Sequence, residues 1–124
     1  MIIEFESTLD WNLSKNKKFV GRQSKVLSTG YKKARYDIAW LCKMAIKREG
    51  IEFTDKKEVI VSIMVFKKNH VGDCINLIEG ICDAIKEVIK VDDRYFSIGF
   101  CRWNILEKEN KNQKILIRIE QDDN

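Results

Sequence analysis

The chain has no proline and a single histidine, His70, among its 124 residues. Its four cysteines form no Cys-x-x-Cys pair, so the ligand spacing of a structural zinc site is missing. No apolar run approaches the roughly 18 residues that a membrane span needs. The first residues also lack the basic start and long apolar stretch of a signal peptide, so we expect a cytoplasmic protein with unpaired cysteines.

Acidic residues are missing from residues 11–36. The same stretch carries the cations Lys15, Lys17, Lys18, Arg22, Lys25, Lys32, Lys33 and Arg35. A solvated face or a mobile loop is the plainest explanation of such a stretch. Phosphate binding needs the same kind of purely positive surface patch, because each phosphate that a cation neutralises releases condensed counterions. The stretch therefore leaves nucleic-acid binding open.

The hydrophobic share of 44% is ordinary for one globular domain. Apolar periodicity and turn residues predict alternating strands and helices. The predicted elements are a strand over 2–9, a basic loop over 11–28, a helix over 30–48 capped by Ser28 or Thr29 and ended by Gly50, a strand over 58–66, a helix over 76–90, and strands over 94–106 and 114–120 joined as a hairpin. This order predicts an α+β fold in which two helices pack on a small mixed sheet of about four strands.

Acidic residues gather around the second predicted helix. Asp73 precedes it and can cap its amide groups, and Asp92-Asp93 follows it in a turn. Asn76, Glu79, Asp83 and Glu87 share its polar side. Carboxylate oxygens are the ligands that Mg²⁺ prefers, and a bound Mg²⁺ polarises a phosphoryl oxygen and activates water. Helix capping and turn formation explain much of the same spacing without any metal.

The sequence G-D-C-I-N-L-I-E-G-I-C-D-A-I from Gly72, followed by V-D-D-R from Val91, resembles the RusA-like Holliday junction resolvases. The hallmark of that family is a basic turn, then D-x-D-N-L-x-K, then D-A-L, then a D-D turn that enters a strand. The segment Ser14-Lys15-Asn16-Lys17 is similar to the family's S-x-N-R/K segment. The run that begins at Ser28 resembles its S-x-x-Y-K/R entry to the first helix. The resemblance spans nearly all of residues 1–124, in order, as one RusA-like domain.

The resemblance implies a homodimeric endodeoxyribonuclease that depends on Mg²⁺, with Mn²⁺ as an alternative. It would nick four-way DNA junctions in recombination and repair, with no membrane partner and no small-molecule cofactor. The family's metal ligands transfer to Asp73 and Asp93. Asp92 would support them, and Asn76 and Asp83 would lie behind the ligands.

Two positions depart from the family motif. The second motif aspartate is Ile75 here, and the motif lysine, which assists catalysis in the family, is Glu79. Residues four apart share a helix face, so Glu79 can replace the missing carboxylate, and Gly80 beside it would leave room for its side chain. Glu79 is therefore a candidate metal ligand. The alternative is a degenerate site in a dimer that binds branched DNA without cutting it.

The residues expected to contact DNA phosphates are mostly basic. They are Lys15, Asn16, Lys17, Lys18, Arg22, Lys25, Lys32, Lys67 and Lys68. Trp11, Phe19, Tyr31 and Trp103 are candidates for stacking on opened bases, whereas Trp40 is expected in the core. His70 is a weak candidate for a ligand or proton carrier. A structural protein, in which the acidic residues only cap and turn, is the third hypothesis.

Overall fold

The architecture is α+β, as the sequence predicted: a four-stranded mixed sheet with two helices. The structure is a computed structural model, and it describes residues 1–21 and 26–123. In chain order the elements are β1 (Ile2–Thr8), α1 (Thr29–Glu49), β2 (Val59–Lys67), α2 (Ile78–Ile89), β3 (Phe96–Ile105) and β4 (Lys114–Glu120). Short 3₁₀ turns at Trp11–Leu13, Lys15–Lys17, Cys74–Leu77 and Asp93–Tyr95 lie between them. Within the described residues, no helix is long and apolar enough to cross a membrane.

The strand order in the sheet is β1-β4-β2-β3. Strand β4 pairs antiparallel with both β1 and β2, while β2 and β3 pair in parallel through the α2 crossover. The predicted hairpin between the last two strands is therefore wrong. The reason lies in β4, whose residues Ile115, Ile117 and Ile119 are fully buried. Strand β3 instead has no buried residue and takes the edge of the sheet, whereas the β4 backbone pairs on both sides, with β1 and with β2.

Both helices contribute buried side chains to one core. From the sheet come alternate residues of three strands, among them Ile3, Val61, Ile63 and Ile117. The helices supply Ala34, Ile38, Ile81 and Ile85, and the 3₁₀ turn before α2 supplies Leu77. Paired strand residues point to the same face, so this alternation places one face of the sheet under the helices. At Gly99 the β2–β3 register shifts, and a Cβ there would overlap the Ser62 hydroxyl.

The helix ends follow local chemistry. Ser28 caps α1 by accepting a hydrogen bond from the backbone N–H of Tyr31, and Gly50 ends it in the left-handed region, with φ of 61°. The second helix was predicted from Asn76, but a 3₁₀ turn occupies Cys74–Leu77 and α2 itself begins at Ile78. The predicted cap also differs: within the described structure the Asp73 carboxylate makes no capping hydrogen bond.

Candidate functional site

The basic loop is attached to the start of α1 by backbone and side-chain hydrogen bonds. Phe19 and Leu27 form an antiparallel bridge, and the Ser28 N–H donates to the carbonyl of Lys18 at 2.8 Å. The Ser28 hydroxyl also donates to the carbonyl of Lys17 at 2.7 Å. One serine thus caps the helix and fixes the backbone at Lys17 and Lys18 beside it.

An acidic cleft lies where α2 faces the start of β3. Glu79 and Asp83, four residues apart on α2, share one helix side, and Asp93 follows the helix in the turn that leads into β3. The lining residues are Lys15, Ile75, Ile78, Glu79, Cys82, Asp83, Asp93, Phe96 and Ile98. The fold therefore brings three of the predicted acidic residues around one cleft, together with the first lysine of the basic loop.

A lysine from the basic loop already holds two of these carboxylates. The Lys18 Nζ lies 2.8 Å from Glu79 Oε1 and 3.1 Å from Asp83 Oδ2, a pair of contacts that we call the Lys18 bridge. The Lys18 and Asp83 side chains are only 16% and 14% exposed. Burial acts against the charge on Lys18, but the hydrogen bonds to both carboxylates outweigh it and raise the pKa of Lys18. The ammonium group is therefore charged throughout the neutral range.

Tyr31 also contacts Asp83, the partly buried carboxylate of the Lys18 bridge. Its hydroxyl donates to Asp83 Oδ2 at 2.6 Å, and its ring is fully buried. Burial and the hydrogen bond to Asp83 raise the pKa of Tyr31, so the hydroxyl remains a donor. The expectation that Tyr31 stacks on DNA bases is wrong, because no part of this side chain reaches the surface.

A second lysine, Lys86, joins the acidic residues at the far end of the cleft. Its Nζ lies 3.2 Å from Asp93 Oδ2 and 3.8 Å from Asp83 Oδ1. The hydrogen bond to Asp93 raises the pKa of Lys86. Asp83 thus contacts Lys18 through one carboxylate oxygen and Lys86 through the other.

Asp73 lies outside the acidic cleft. It borders a neighbouring cleft with Trp11, Ser14, Asn16, Lys17, Val71, Gly72 and Asn76. Asp73 precedes α2, whereas Asp93 follows it and borders the acidic cleft. The two predicted metal ligands therefore border different clefts.

Asp92 acts locally in the turn. Its Oδ1 accepts a hydrogen bond from the backbone N–H of Arg94 at 2.9 Å, and this bond lowers the pKa of Asp92. The side chain also pairs with the guanidinium of Arg94 at 3.5 Å. These contacts are those of a turn-forming aspartate.

Glycine at position 80 serves close packing. A Cβ at Gly80 would lie 2.6 Å from the carbonyl oxygen of Leu13, so the 3₁₀ turn that begins the basic loop sits directly on α2. The expectation that Gly80 leaves space for Glu79 to bend back is wrong, because Leu13 fills that space. Ile75, at the position of the missing motif aspartate, borders the same cleft as Glu79 and is 70% exposed.

The predicted phosphate-binding residues fall into separate groups. Lys15, Asn16, Lys17, Lys32 and Lys68 are exposed. Lys18 is held in its bridge, and Lys67 is buried, with its ammonium donating to the carbonyl of Gly72 and lying over the ring of Trp103. Arg22 and Lys25 lie outside the described residues.

The remaining aromatic residues differ in exposure. Trp103 is half exposed and makes an edge contact with His70, while Phe19 is exposed on the basic loop. Trp11 is partly buried against Gly72, where a Cβ would meet its ring at 2.7 Å. Trp40 was expected in the core but is 50% exposed, because it lies on the outer side of α1.

Sequence reasoning missed Lys86 and the partners of Lys18 and Tyr31. Lys86 carried a usable signal, since it stands three residues after Asp83 on a helix. The contacts of Lys18 and Tyr31 with Asp83 join residues 65 and 52 positions apart, so periodicity could not reveal them. Lys18 and Lys86 form ion pairs with the acidic residues, and Tyr31 adds a hydrogen bond, so the acidic residues are part of one polar network.

Comparison with known proteins adds no family assignment. No protein-family model matches the chain, and no curated protein matches it.

Proposed function

We propose that this protein binds branched DNA and acts as a RusA-like, Mg²⁺-dependent endodeoxyribonuclease on four-way junctions. The observation that carries the proposal is the contact between the basic loop and the acidic cleft. Lys15 borders the cleft, and Lys18 of the same loop contacts Glu79 and Asp83. Phosphodiester hydrolysis needs such a neighbourhood, because cations must hold the phosphate beside carboxylates that hold the metal.

The phosphate-binding surface is formed mainly by the turn Lys15–Lys17. Lys15, Asn16 and Lys17 are exposed, and the Ser14 hydroxyl, which accepts from the Asn16 N–H at 3.3 Å, orients the turn. Lysine ammonium and asparagine amide groups donate to phosphate oxygens without reading sequence. We infer that this turn positions the DNA backbone over the acidic cleft.

The donor set of the acidic cleft fits Mg²⁺ in its chemistry. Glu79, Asp83 and Asp93 offer hard carboxylate oxygens, and Mg²⁺ binds proteins through one or two carboxylates while keeping several waters. The Lys18 ammonium already stands where a cation is stabilised. In the described part of the chain no group of three or more His, Cys, Asp or Glu side chains is arranged to hold a metal, and Lys18 and Lys86 contact the carboxylates that would be the ligands. A bound ion would supply Lewis-acid activation of water and phosphate.

Asp73 remains a predicted ligand on the strength of the resemblance. Its exposed carboxylate borders the cleft that also contains Asn16 and Lys17, next to the phosphate-binding turn. Asp93 and Glu79 are the stronger ligand candidates, because they border the same cleft. The homodimer is likewise proposed from the resemblance.

A second candidate function is junction binding without cleavage. Two observations favour it: Ile75 occupies the position of the second motif aspartate, and Lys18 and Lys86 neutralise the carboxylates that would hold the metal. Removing a ligand while keeping the basic loop would preserve DNA affinity and abolish catalysis.

The test is a cleavage and binding assay on a labelled four-way junction, with linear duplex as the substrate control. The protein is incubated with Mg²⁺, with Mn²⁺ and with a chelator, beside the variants Asp93→Asn and Asp73→Asn. Paired nicks that require the metal and vanish in Asp93→Asn support the resolvase. Loss of the nicks in Asp73→Asn as well would add Asp73 to the site.

Tight junction binding with no nick under either metal would select the second candidate. A protein that neither binds nor cuts the junction would overturn both candidates. Circular dichroism of each variant separates a lost function from a lost fold.

A further inference from the structure

The Lys18 ammonium occupies the place where two carboxylates of the acidic cleft converge. It contacts Glu79 at 2.8 Å and Asp83 at 3.1 Å, and the Tyr31 hydroxyl donates to the same Asp83 oxygen at 2.6 Å. A divalent cation held by these oxygens would place two further positive charges beside the ammonium. At such separations like charges repel strongly in a partly buried site. The metal and the Lys18 side chain therefore compete for the same carboxylates.

The Lys18 side chain can leave without any change of the backbone. Its carbonyl is fixed by the Ser28 N–H, and the neighbouring Lys17 carbonyl by the Ser28 hydroxyl. The ammonium lies at the end of a flexible four-carbon chain, so a change of rotamer moves it out of the cleft. Its nearest cationic neighbours in sequence, Lys15 and Lys17, are exposed on the proposed phosphate-binding turn. A phosphate bound there offers Lys18 a second anionic partner.

We propose that Lys18 is an internal cation that closes the acidic cleft to divalent metal until DNA phosphate draws its ammonium away. The inference rests on the proposed function, since it concerns the metal and DNA sites named there. Closure would keep the free protein from holding a hydrolytic metal before it has bound a junction. Because coupling between two binding sites is reciprocal, DNA would raise metal affinity and metal would raise DNA affinity by the same factor.

The test measures Mn²⁺ affinity by titration calorimetry on the whole chain without DNA. The variant Lys18→Gln removes the charge and should bind Mn²⁺ about tenfold more tightly, within the 5- to 150-fold range of typical couplings between sites. Lys43→Gln removes the same charge from an exposed position of α1 and should bind Mn²⁺ as the unsubstituted protein does. Lys18→Arg keeps a cation in the bridge and should not gain affinity.

A second measurement follows the coupling itself. Junction affinity is determined in a chelator and in Ca²⁺, another cation that takes oxygen ligands. The unsubstituted protein should bind the junction more tightly in Ca²⁺, and Lys18→Gln should lose most of that difference.

The outcomes separate the two proposals. If Asp93→Asn abolishes Mn²⁺ binding but Lys18→Gln leaves it unchanged, the metal site stands and the role of Lys18 is overturned. An equal gain of affinity in Lys18→Arg would also overturn it, because a cation in the bridge would then not oppose the metal. If no variant binds Mn²⁺ at a site that depends on Asp93, the proposed metal site fails and this inference fails with it. A thermal melt of each variant shows whether the fold is retained.

Discussion

The ammonium group of Lys18 lies 2.8 Å from Oε1 of Glu79, across 61 residues of sequence. Glu79 stands where the motif that this chain resembles has a lysine. In this chain the position carries a carboxylate, and a lysine from the basic loop faces it. Together with Asp83 and Tyr31, this pair joins the loop to α2, so the basic loop and the acidic cleft meet in one network.

A charge exchange tests the pair directly. We expect Lys18→Glu and Glu79→Lys each to destabilise the fold, and the double variant to recover part of the loss. The coupling energy should be about 0.5 kcal/mol, at the low end for residues in contact, because the Glu79 side chain is 52% exposed. Urea denaturation of the four proteins gives this energy. If the two single changes in the free energy of unfolding simply add in the double variant, the pairing is contradicted.

Tyr31→Phe removes the buried donor to Asp83. We expect a loss of about 1.5–3 kcal/mol in the free energy of unfolding, the range for a hydrogen bond to a charged group. The matched control is Tyr36→Phe, the same chemical change on the same helix at an exposed position, where an effect below about 0.5 kcal/mol is expected. Equal effects in the two variants would show that the hydroxyl of Tyr31 contributes nothing.

Gly80→Ala probes the contact between α2 and the start of the basic loop. Alanine is a better helix former by about 1 kcal/mol, but its Cβ would lie 2.6 Å from the backbone oxygen of Leu13, which cannot move alone. We expect net destabilisation of about 1–3 kcal/mol, as for an overpacked core.

The control for that change is Gly30→Ala in the first turn of α1. Its Cβ would meet the side chain of Asn12 at 2.9 Å, and a side chain can rotate away. Thermal melts should show Gly80→Ala well below Gly30→Ala in melting temperature; the reverse order would refute the packing argument.

The Lys18 bridge predicts a stability change in alkaline solution. The pKa of Lys18 is raised in the folded protein above its ordinary value of 10.5. A raised pKa means that the stabilisation is complete below the unfolded value and is lost as pH rises through the folded value. The stability difference between the unsubstituted protein and Lys18→Met should therefore shrink above about pH 10.5.

The same comparison in a Glu79→Gln/Asp83→Asn background provides the control. Without the two carboxylates only burial acts on the Lys18 ammonium and lowers its pKa, so the protein with Lys18 should no longer lose stability relative to Lys18→Met as the pH rises. Denaturant titrations at several alkaline pH values supply both series. A loss of stability with rising pH that persists in this background would assign the effect to another group.

Salt dependence tests the phosphate contacts of the turn Lys15–Lys17. Each phosphate neutralised on duplex DNA contributes about −0.9 to the slope of log affinity against log salt. Lys15→Gln/Lys17→Gln should weaken junction binding and reduce the slope by about 1.8 if both lysines contact phosphates. Lys108→Gln, an exposed lysine in the connection between β3 and β4, should leave the slope unchanged. Fluorescence anisotropy at a series of salt concentrations measures all three proteins.

The sequence by itself determined the elements and their class. The helix cap at Ser28 or Thr29, the helix end at Gly50 and the isoleucine alternation of Lys114–Glu120 are local signals. The structure selects Ser28 as the cap and has the other two features where the sequence placed them. The density of cations in residues 11–36 is also readable directly. Such features depend on residues close in the chain, so hydrogen bonding and periodicity within a few positions suffice to predict them.

Only the tertiary structure decided which strands pair and which side chains that are distant in sequence come into contact. Strand β4 lies between β1 and β2, and β3, which has no buried residue, takes the edge of the sheet; this pairing joins strands that are far apart in the chain. Asp73 and Asp93, which the resemblance placed in one metal site, border different clefts, whereas Lys18, Tyr31 and Asp83 converge from three segments. A partly buried carboxylate such as that of Asp83 is stable only beside a counter-charge and a hydrogen-bond donor. The fold supplies both from residues that are distant in sequence, so the sequence alone does not reveal them.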